Sequence, residues 1–137
     1  MLGALAVVVA SACLAAPVQA GKVHAGPFTA AVQRPYDVVN GRFRLHVGPY
    51  RDAKRHLIQQ LDWTVARGSR VQSRLSVTAV RLSPPPRTVF AQWFPVSATA
   101  LPKGRVFPTL LQPSSAGCWR LTLQTGAARA ALTVLVR

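Results

Sequence analysis

The strictest pattern in the sequence is an alternation of apolar and polar residues near its C-terminal end. Residues 119–124 alternate strictly, with the period of a strand that buries one face. A second alternating run sets Leu132, Val134 and Val136 against Thr133 and Leu135. Gly126 lies between the two runs and lets the chain turn there, so the pattern predicts a β-hairpin. A hairpin alone is only marginally stable, so further strands must cover its apolar face. The residues predicted to face that cover are Trp119, Leu121, Leu123, Leu132, Val134 and Val136.

Shorter alternating runs precede this hairpin. They occupy residues 28–33, 42–47, 57–66, 74–82 and 88–94, and in the second of them Phe43, Leu45 and Val47 are predicted to point inward. Residues 51–61 also fit a short helix capped by Asp52, but a strand that begins at Leu57 continues the alternation and is favoured.

Turn signals and prolines separate these runs. Asn40-Gly41 is a turn dipeptide, and Pro84-Pro85-Pro86 cannot lie in a central strand. Four prolines in residues 95–113 predict a long connection with one short edge segment near Val106-Phe107. The spacing of the runs predicts an all-β fold, an antiparallel Ig-like β-sandwich of six to eight strands.

The N-terminal residues have the composition of an export signal. Residues 1–20 carry no charged side chain, and Val18-Gln19-Ala20 places small residues where a signal peptidase reads them, which predicts cleavage after Ala20. Ser11-Ala12-Cys13 leaves lipidation of Cys13 open as an alternative. The predicted organisation is a signal peptide over residues 1–20, an N-terminal extension or first short strand over 21–40, and the β-sandwich over 41–137. The expected location is outside the cell or in the cell envelope, with no integral membrane span after processing.

Cleavage after Ala20 would leave Cys118 as the only cysteine of the mature chain. An internal disulfide is therefore not expected. Cys118 shares the phase of Arg120 and points away from the core in this reading. Its expected role is that of a small packing residue beneath a loop.

The charge of the chain is strongly positive. Seventeen Lys and Arg residues oppose three Asp and no Glu, giving a formal net charge of +14, and fourteen of the seventeen are arginine. Arginine favours bidentate contacts with phosphate or carboxylate. A GC-rich coding sequence would also produce this excess, and the arginines would then be solvated strand faces. The candidates for binding an anionic polymer are Arg42, Arg44, Arg74, Arg81, Arg87 and Arg120, with Trp93 or Phe94 stacking beside them.

Whether these arginines form one patch depends on the strands that carry them. Strands from one sheet would gather them, and strands from two sheets would disperse them. The sequence does not decide between the two arrangements.

Residues for catalysis are scarce in this sequence. The only acids are Asp37, Asp52 and Asp62, which is a poor set for acid–base hydrolysis. There is no Gly-x-Ser-x-Gly turn, no glycine-rich phosphate loop, and no cysteine–histidine spacing typical of zinc or of a thiol enzyme. The prediction is a protein that is not an enzyme, with no catalytic residue, cofactor or metal site.

Two segments carry a resemblance to known proteins. Trp63-Thr64-Val65 on a middle strand and residues 117–123, with the sequence Gly-Cys-Trp-Arg-Leu-Thr-Leu, resemble bacterial secreted Ig-like β-sandwich domains of uncharacterised activity. The resemblance covers residues 42–137 and implies a fold without an activity. The chain departs from it in lacking a second cysteine after cleavage, so the disulfide-pinned core of antibody domains is not expected.

Taken with the charge, these observations predict a non-catalytic exported module that acts by binding. Its partner is unknown. An envelope protein is one candidate partner. The alternative is that the domain is a cationic binder of an anionic polymer such as nucleic acid, teichoic acid, lipopolysaccharide or an acidic glycan.

Overall fold

The computed structural model describes residues 13–32, 37–47, 60–72, 74–83, 87–90, 99–101, 104–111, 113 and 115–137. Within these ranges the regular structure is entirely β, so the predicted all-β class is confirmed. More strands are present than the six to eight predicted. The twelve described strands are β1 (Val18–Gln19), β2 (Lys22–Ala25), β3 (Phe28–Ala31), β4 (Val38–Val39), β5 (Arg42–Leu45), β6 (Gln60–Ala66), β7 (Ser76–Arg81), β8 (Arg87–Phe90), β9 (Thr99–Leu101), β10 (Gly104–Leu110), β11 (Gly117–Thr125) and β12 (Ala128–Val136).

The strands form two mostly antiparallel sheets of six strands each. The first sheet has the order β1-β2-β3-β6-β10-β9, and the second has the order β4-β5-β12-β11-β7-β8. One pair is parallel: β5 lies beside β12, with Arg44 opposite Leu135 and Leu45 opposite Val136. Buried side chains from both sheets form one hydrophobic cluster, so the two sheets enclose a single core.

The predicted C-terminal hairpin is the best-paired element of the second sheet. Strands β11 and β12 pair from Gly117 opposite Val136 to Thr125 opposite Ala128. Gly126 follows Thr125 with a φ of 56°, a conformation that glycine adopts at little cost. The predicted inward phase is confirmed on both strands: Trp119, Leu121, Leu123, Leu132, Val134 and Val136 are all buried.

Two further strand predictions are confirmed over the residues described. Leu61, Trp63 and Val65 on β6 are buried, as the alternation indicates. On β7 the buried positions are Val77 and Ala79, again in the predicted phase. The choice between helix and strand for residues 51–59 lies outside the described residues.

Strand β5 follows its predicted phase only in part. Phe43 and Leu45 are buried, but Val47 is 38% exposed because the strand ends at Leu45. Asn40 and Gly41 both have positive φ angles, 50° and 72°, which confirms the predicted turn between β4 and β5.

The prediction of a long connection over residues 95–113 is wrong. Strands β9 and β10 occupy much of it, and β10 pairs with β6 along its whole length, from Gly104 opposite Ala66 to Leu110 opposite Gln60. The prediction was wrong because it took the four prolines of this segment as evidence against a strand. Pro108 lies opposite Asp62 in the β6 ladder, and the described pairing with β9 covers residues 104–106 of β10.

The N-terminal part of the described chain belongs to both sheets. Strands β2 and β3 form a hairpin in the first sheet, and β1 adds to its edge. Just before β1, Ala16 lies between strands of the second sheet: its N–H donates to the Thr133 carbonyl at 2.8 Å, and its carbonyl accepts from the Phe43 N–H at 2.8 Å. Residues 13–20 are thus part of the fold, although the sequence assigns them to a signal peptide. No helix in the described part of the chain is long and apolar enough to cross a membrane.

Cys118 is not unpaired, and the expectation of a chain without an internal disulfide is wrong. Cys13 and Cys118 form a disulfide with a Cα–Cα distance of 5.5 Å. The error came from removing Cys13 with the signal peptide. Cys118 keeps the predicted outward phase, which it shares with Arg120 on β11. Its disulfide partner, Cys13, is the first residue of the N-terminal segment, residues 13–20.

Candidate functional site

Charge is distributed very unevenly between the two sheets. The strands of the second sheet carry six arginines and no acidic residue, whereas those of the first sheet carry Lys22, Arg105 and Asp62. Of the two remaining acids, Asp37 is buried directly before β4, where its backbone carbonyl accepts from the Arg44 N–H at 2.9 Å, and Asp52 lies outside the described residues. The arginines of the second sheet are Arg42, Arg44, Arg81, Arg87, Arg120 and Arg129.

Four of these arginines lie on the side of the second sheet that faces away from the core. Arg42, Arg120 and Arg129 are exposed and Arg44 is half-buried. The neighbouring positions that point the opposite way are buried at Phe43, Leu45, Trp119, Leu121 and Ala128 and half-buried at Ala130. We call this surface the arginine face and define it by these four residues. It spans the three adjacent strands β5, β12 and β11.

The strand register fixes the spacing of the arginine face. Arg120 lies opposite Thr133 of β12, and Arg129 is four positions earlier on that strand, opposite Gln124. At roughly 3.3 Å per residue, this separates the two Cα atoms by about 13–14 Å. Arg44 lies opposite Leu135, two positions after Thr133 on β12. Along the strand direction, Arg120 therefore lies between Arg129 and Arg44. Arg120 and Arg129 are exposed on long, flexible side chains, so each guanidinium group can bind its own anionic group, and this pair suits a ligand with repeated charges.

Arg42 of this face also has a structural contact. Arg42 donates from Nη1 to the carbonyl of Ala15 at 3.1 Å, which ties β5 to the N-terminal segment. Arg120 and Arg129 are therefore cleaner probes of binding than Arg42. Arg129 was missed by the sequence analysis, although it shares the outward phase of Thr133 in the predicted hairpin and could have been found from that phase.

The other sequence candidates lie elsewhere on the same sheet. Arg81 is at the end of β7, where its Nε donates to the Ala116 carbonyl at 3.1 Å. Arg87 pairs with Arg81 in the β7–β8 ladder, and Arg74 is exposed just before β7. Arg74 lines a shallow polar pocket with Gln72, Ser76, Gln124 and Gly126 at the turn end of the sheet. The proposed stacking residues Trp93 and Phe94 lie outside the described residues.

The outer side of the first sheet is a shallow, open groove of a different character. His24, Thr29, Thr64 and Val106 form one row across β2, β3, β6 and β10, with Lys22, Asp62 and Arg67 around it. His24 Nδ1 and Thr29 Oγ1 are 3.1 Å apart, and Gln60 Nε2 donates to Asp62 Oδ1 at 3.0 Å. This groove mixes both signs of charge with small side chains, so it lacks the single-sign field of the arginine face.

Comparison with known proteins identifies no relative. No protein-family model, curated protein or solved structure matches the chain. Its function has to be inferred from its own geometry and charge.

The chemistry open to the remaining reactive side chains is limited. The Cys118 sulfur is bonded to Cys13, so it cannot act as the thiolate of a cysteine–histidine enzyme. Among the described residues, no three His, Cys, Asp or Glu side chains are grouped to hold a metal ion. What the described surface does offer is multivalent hydrogen bonding from guanidinium groups.

Proposed function

We propose that this chain is an exported, non-catalytic Ig-like β-sandwich that acts as an extracellular or envelope interaction module. The observation that carries the interaction role is the segregation of arginine onto the second sheet, which gives one outer face a field of a single sign. Fold alone implies no function, so the role is argued from this surface.

The strand order supports the Ig-like assignment. Strands β3, β6, β10 and β9 are adjacent in the order A, B, E and D, and β12, β11, β7 and β8 are adjacent in the order G, F, C and C′. In chain order, β6, β7, β8, β9, β10, β11 and β12 correspond to strands B, C, C′, D, E, F and G of an Ig variable-type domain, so the order along the chain also agrees. The chain differs from antibody domains in its disulfide, because the core positions of β6 and β11 hold Trp63 and Trp119 while Cys13 pairs with Cys118.

The disulfide supports export. Disulfides persist in oxidising compartments outside the cytosol and are rare in reducing ones. The Cys13–Cys118 bond joins residues 105 positions apart and fixes the N-terminal segment to the start of β11. An apolar, uncharged N-terminal sequence points to the same location.

A specific observation favours one partner class, an anionic polymer. Arg120 and Arg129 are exposed on the adjacent strands β11 and β12, and no described strand of their sheet carries an acidic residue. An envelope protein with an acidic surface remains the other candidate partner. Nucleic acid, teichoic acid, lipopolysaccharide and acidic glycans share the repeated negative charge that this spacing accommodates.

A salt titration with matched variants tests this partner class. We expect affinity for a labelled DNA duplex, measured by fluorescence anisotropy, to fall linearly in a log–log plot as salt rises, with a slope near −0.9 per phosphate neutralised. Arg120→Ala/Arg129→Ala should flatten that slope by about one to two units. Lys22→Ala/Arg67→Ala removes the same charge from the opposite side of the molecule and is the control.

The two double variants separate a binding face from general electrostatic attraction. An equal loss of slope in both would show that only net charge matters, and the arginine face would then have no special role. Binding that is insensitive to salt would favour a protein partner held by apolar contacts.

A further inference from the structure

We propose that export removes the leader after Ala12, so that Cys13 becomes the first residue of the mature chain and is held there by its disulfide to Cys118. This inference rests on the proposed export of the chain. It replaces cleavage after Ala20 with a processing site that keeps the whole N-terminal segment in the folded protein.

The contacts of residues 13–20 carry the argument. Ala15 is only 2% exposed, and Ala16 joins β12 to β5 through the two backbone hydrogen bonds to Thr133 and Phe43. The Val18 N–H donates to the Gly41 carbonyl at 2.9 Å, and β1 pairs with β2. At Ala16 this segment lies between β12 and β5, and no other described segment makes these contacts.

Cleavage after Ala20 would remove this segment before folding. The Thr133 carbonyl and the Phe43 N–H would lose these hydrogen-bond partners. Cys118 would be left as a free thiol at the start of β11. A fold that uses these contacts requires cleavage upstream of Cys13.

The sequence supplies a cleavage site at that position. Ala10-Ser11-Ala12 places small residues at the two positions that a signal peptidase reads, as Val18-Gln19-Ala20 also does. Residues 2–10 are apolar throughout, within the roughly 7–15 residues of an h-region. Sequence does not choose between the two sites, whereas the contacts of residues 13–20 favour the first.

The disulfide, and not the cleavage site, distinguishes this route from the lipoprotein alternative. Lipidation would attach a diacylglyceryl group to the Cys13 sulfur through a thioether, and that sulfur could not then bond to Cys118. In the proposed route, water hydrolyses the Ala12–Cys13 peptide bond. The two thiols then lose two protons and two electrons to a disulfide-bonded oxidoreductase, which is reduced to its dithiol as the Cys13–Cys118 bond forms.

Intact-mass measurement of exported protein tests the proposal. The full precursor is expressed in an exporting bacterial host, and the secreted or periplasmic fraction is measured without reduction. We expect a chain that starts at Cys13 and gains two hydrogen masses on reduction. Ala12→Leu should abolish this terminus, whereas the control Ala20→Leu should leave it unchanged, and Cys13→Ser should still be cleaved after Ala12.

The outcomes separate this inference from the proposed export. An exported chain that begins at Gly21, or one that carries a diacylglyceryl group on Cys13, would overturn the inference and leave export intact. An uncleaved chain retained in the cytosol would overturn export itself, and the inference with it.

Discussion

Removing the Cys13–Cys118 disulfide should destabilise the protein substantially. The bond joins residues 105 positions apart, so it closes almost the entire described chain into one loop. In the chain-entropy treatment a loop of about 100 residues contributes about 4.7 kcal/mol at 25 °C, and measured values for disulfides are more often 2–4 kcal/mol. We therefore expect the double variant Cys13→Ser/Cys118→Ser to lose about 2–5 kcal/mol of unfolding free energy.

Urea denaturation followed by tryptophan fluorescence measures this loss. Trp63 and Trp119 lie in the core and report on its exposure. The midpoint should fall in the double variant, and the m-value should rise because the unfolded chain without the cross-link is more expanded. Wild-type protein unfolded under reducing conditions should behave like the double variant, which controls for the serine substitutions.

The two single variants distinguish the loss of the disulfide from separate effects of each cysteine side chain. Both Cys13→Ser and Cys118→Ser break the same bond, so each should cost about as much as the double variant. A double variant within about 1 kcal/mol of the oxidised wild type would show that the bond does not constrain the unfolded chain. Single variants whose costs add would show that each cysteine acts separately.

Two further predictions concern the C-terminal hairpin and use the same denaturation assay. Leu121→Ala should cost about 2–5 kcal/mol because it truncates a buried side chain, whereas Thr122→Ala on the outer side should cost less than about 1 kcal/mol, and equal losses would contradict the observed phase. Gly126→Ala should cost more than Gly41→Ala: both glycines have positive φ, but a Cβ at Gly126 would lie 2.6 Å from the Arg70 carbonyl oxygen and one at Gly41 would meet nothing. Equal costs would show that the contact with Arg70 relaxes freely.

The hairpin and the central strand β6 were predictable from sequence for a simple reason. Each strand buries one face against the opposite sheet and exposes its second face to solvent. Its sequence therefore alternates between apolar and polar residues. Leu61, Trp63 and Val65 follow this rule without exception, as does the run from Trp119 to Leu123. Where one face is buried along a whole strand, the sequence carries enough information to assign it.

Strand β10 was missed because its pattern is interrupted. Pro108 reads as a strand breaker, and Thr109 places a hydroxyl at an inward position. That hydroxyl is accommodated by donating to the Leu61 carbonyl at 3.0 Å, a partner that only the folded structure provides. Local propensity therefore argued against a strand that long-range pairing with β6 stabilises.

The composition of the N-terminal segment fits two different roles. Small apolar residues suit a leader and also suit a tight place between strands, as Ala15 and Ala16 show. The partner of Cys118 is equally invisible to sequence, since pairing across 105 residues depends on where the chain ends meet in space.

The arrangement of arginine bears on why the chain is so basic. An excess produced by composition alone would place similar numbers of arginines on both sheets. The strands of the second sheet carry six and the strands of the first carry Arg105 alone, although the two sheets have equal numbers of strands. Like charges gathered on one face repel each other, and this repulsion opposes folding. A ligand with repeated negative charge would remove that repulsion on binding, and this is the physical reason to seek the partner at the arginine face.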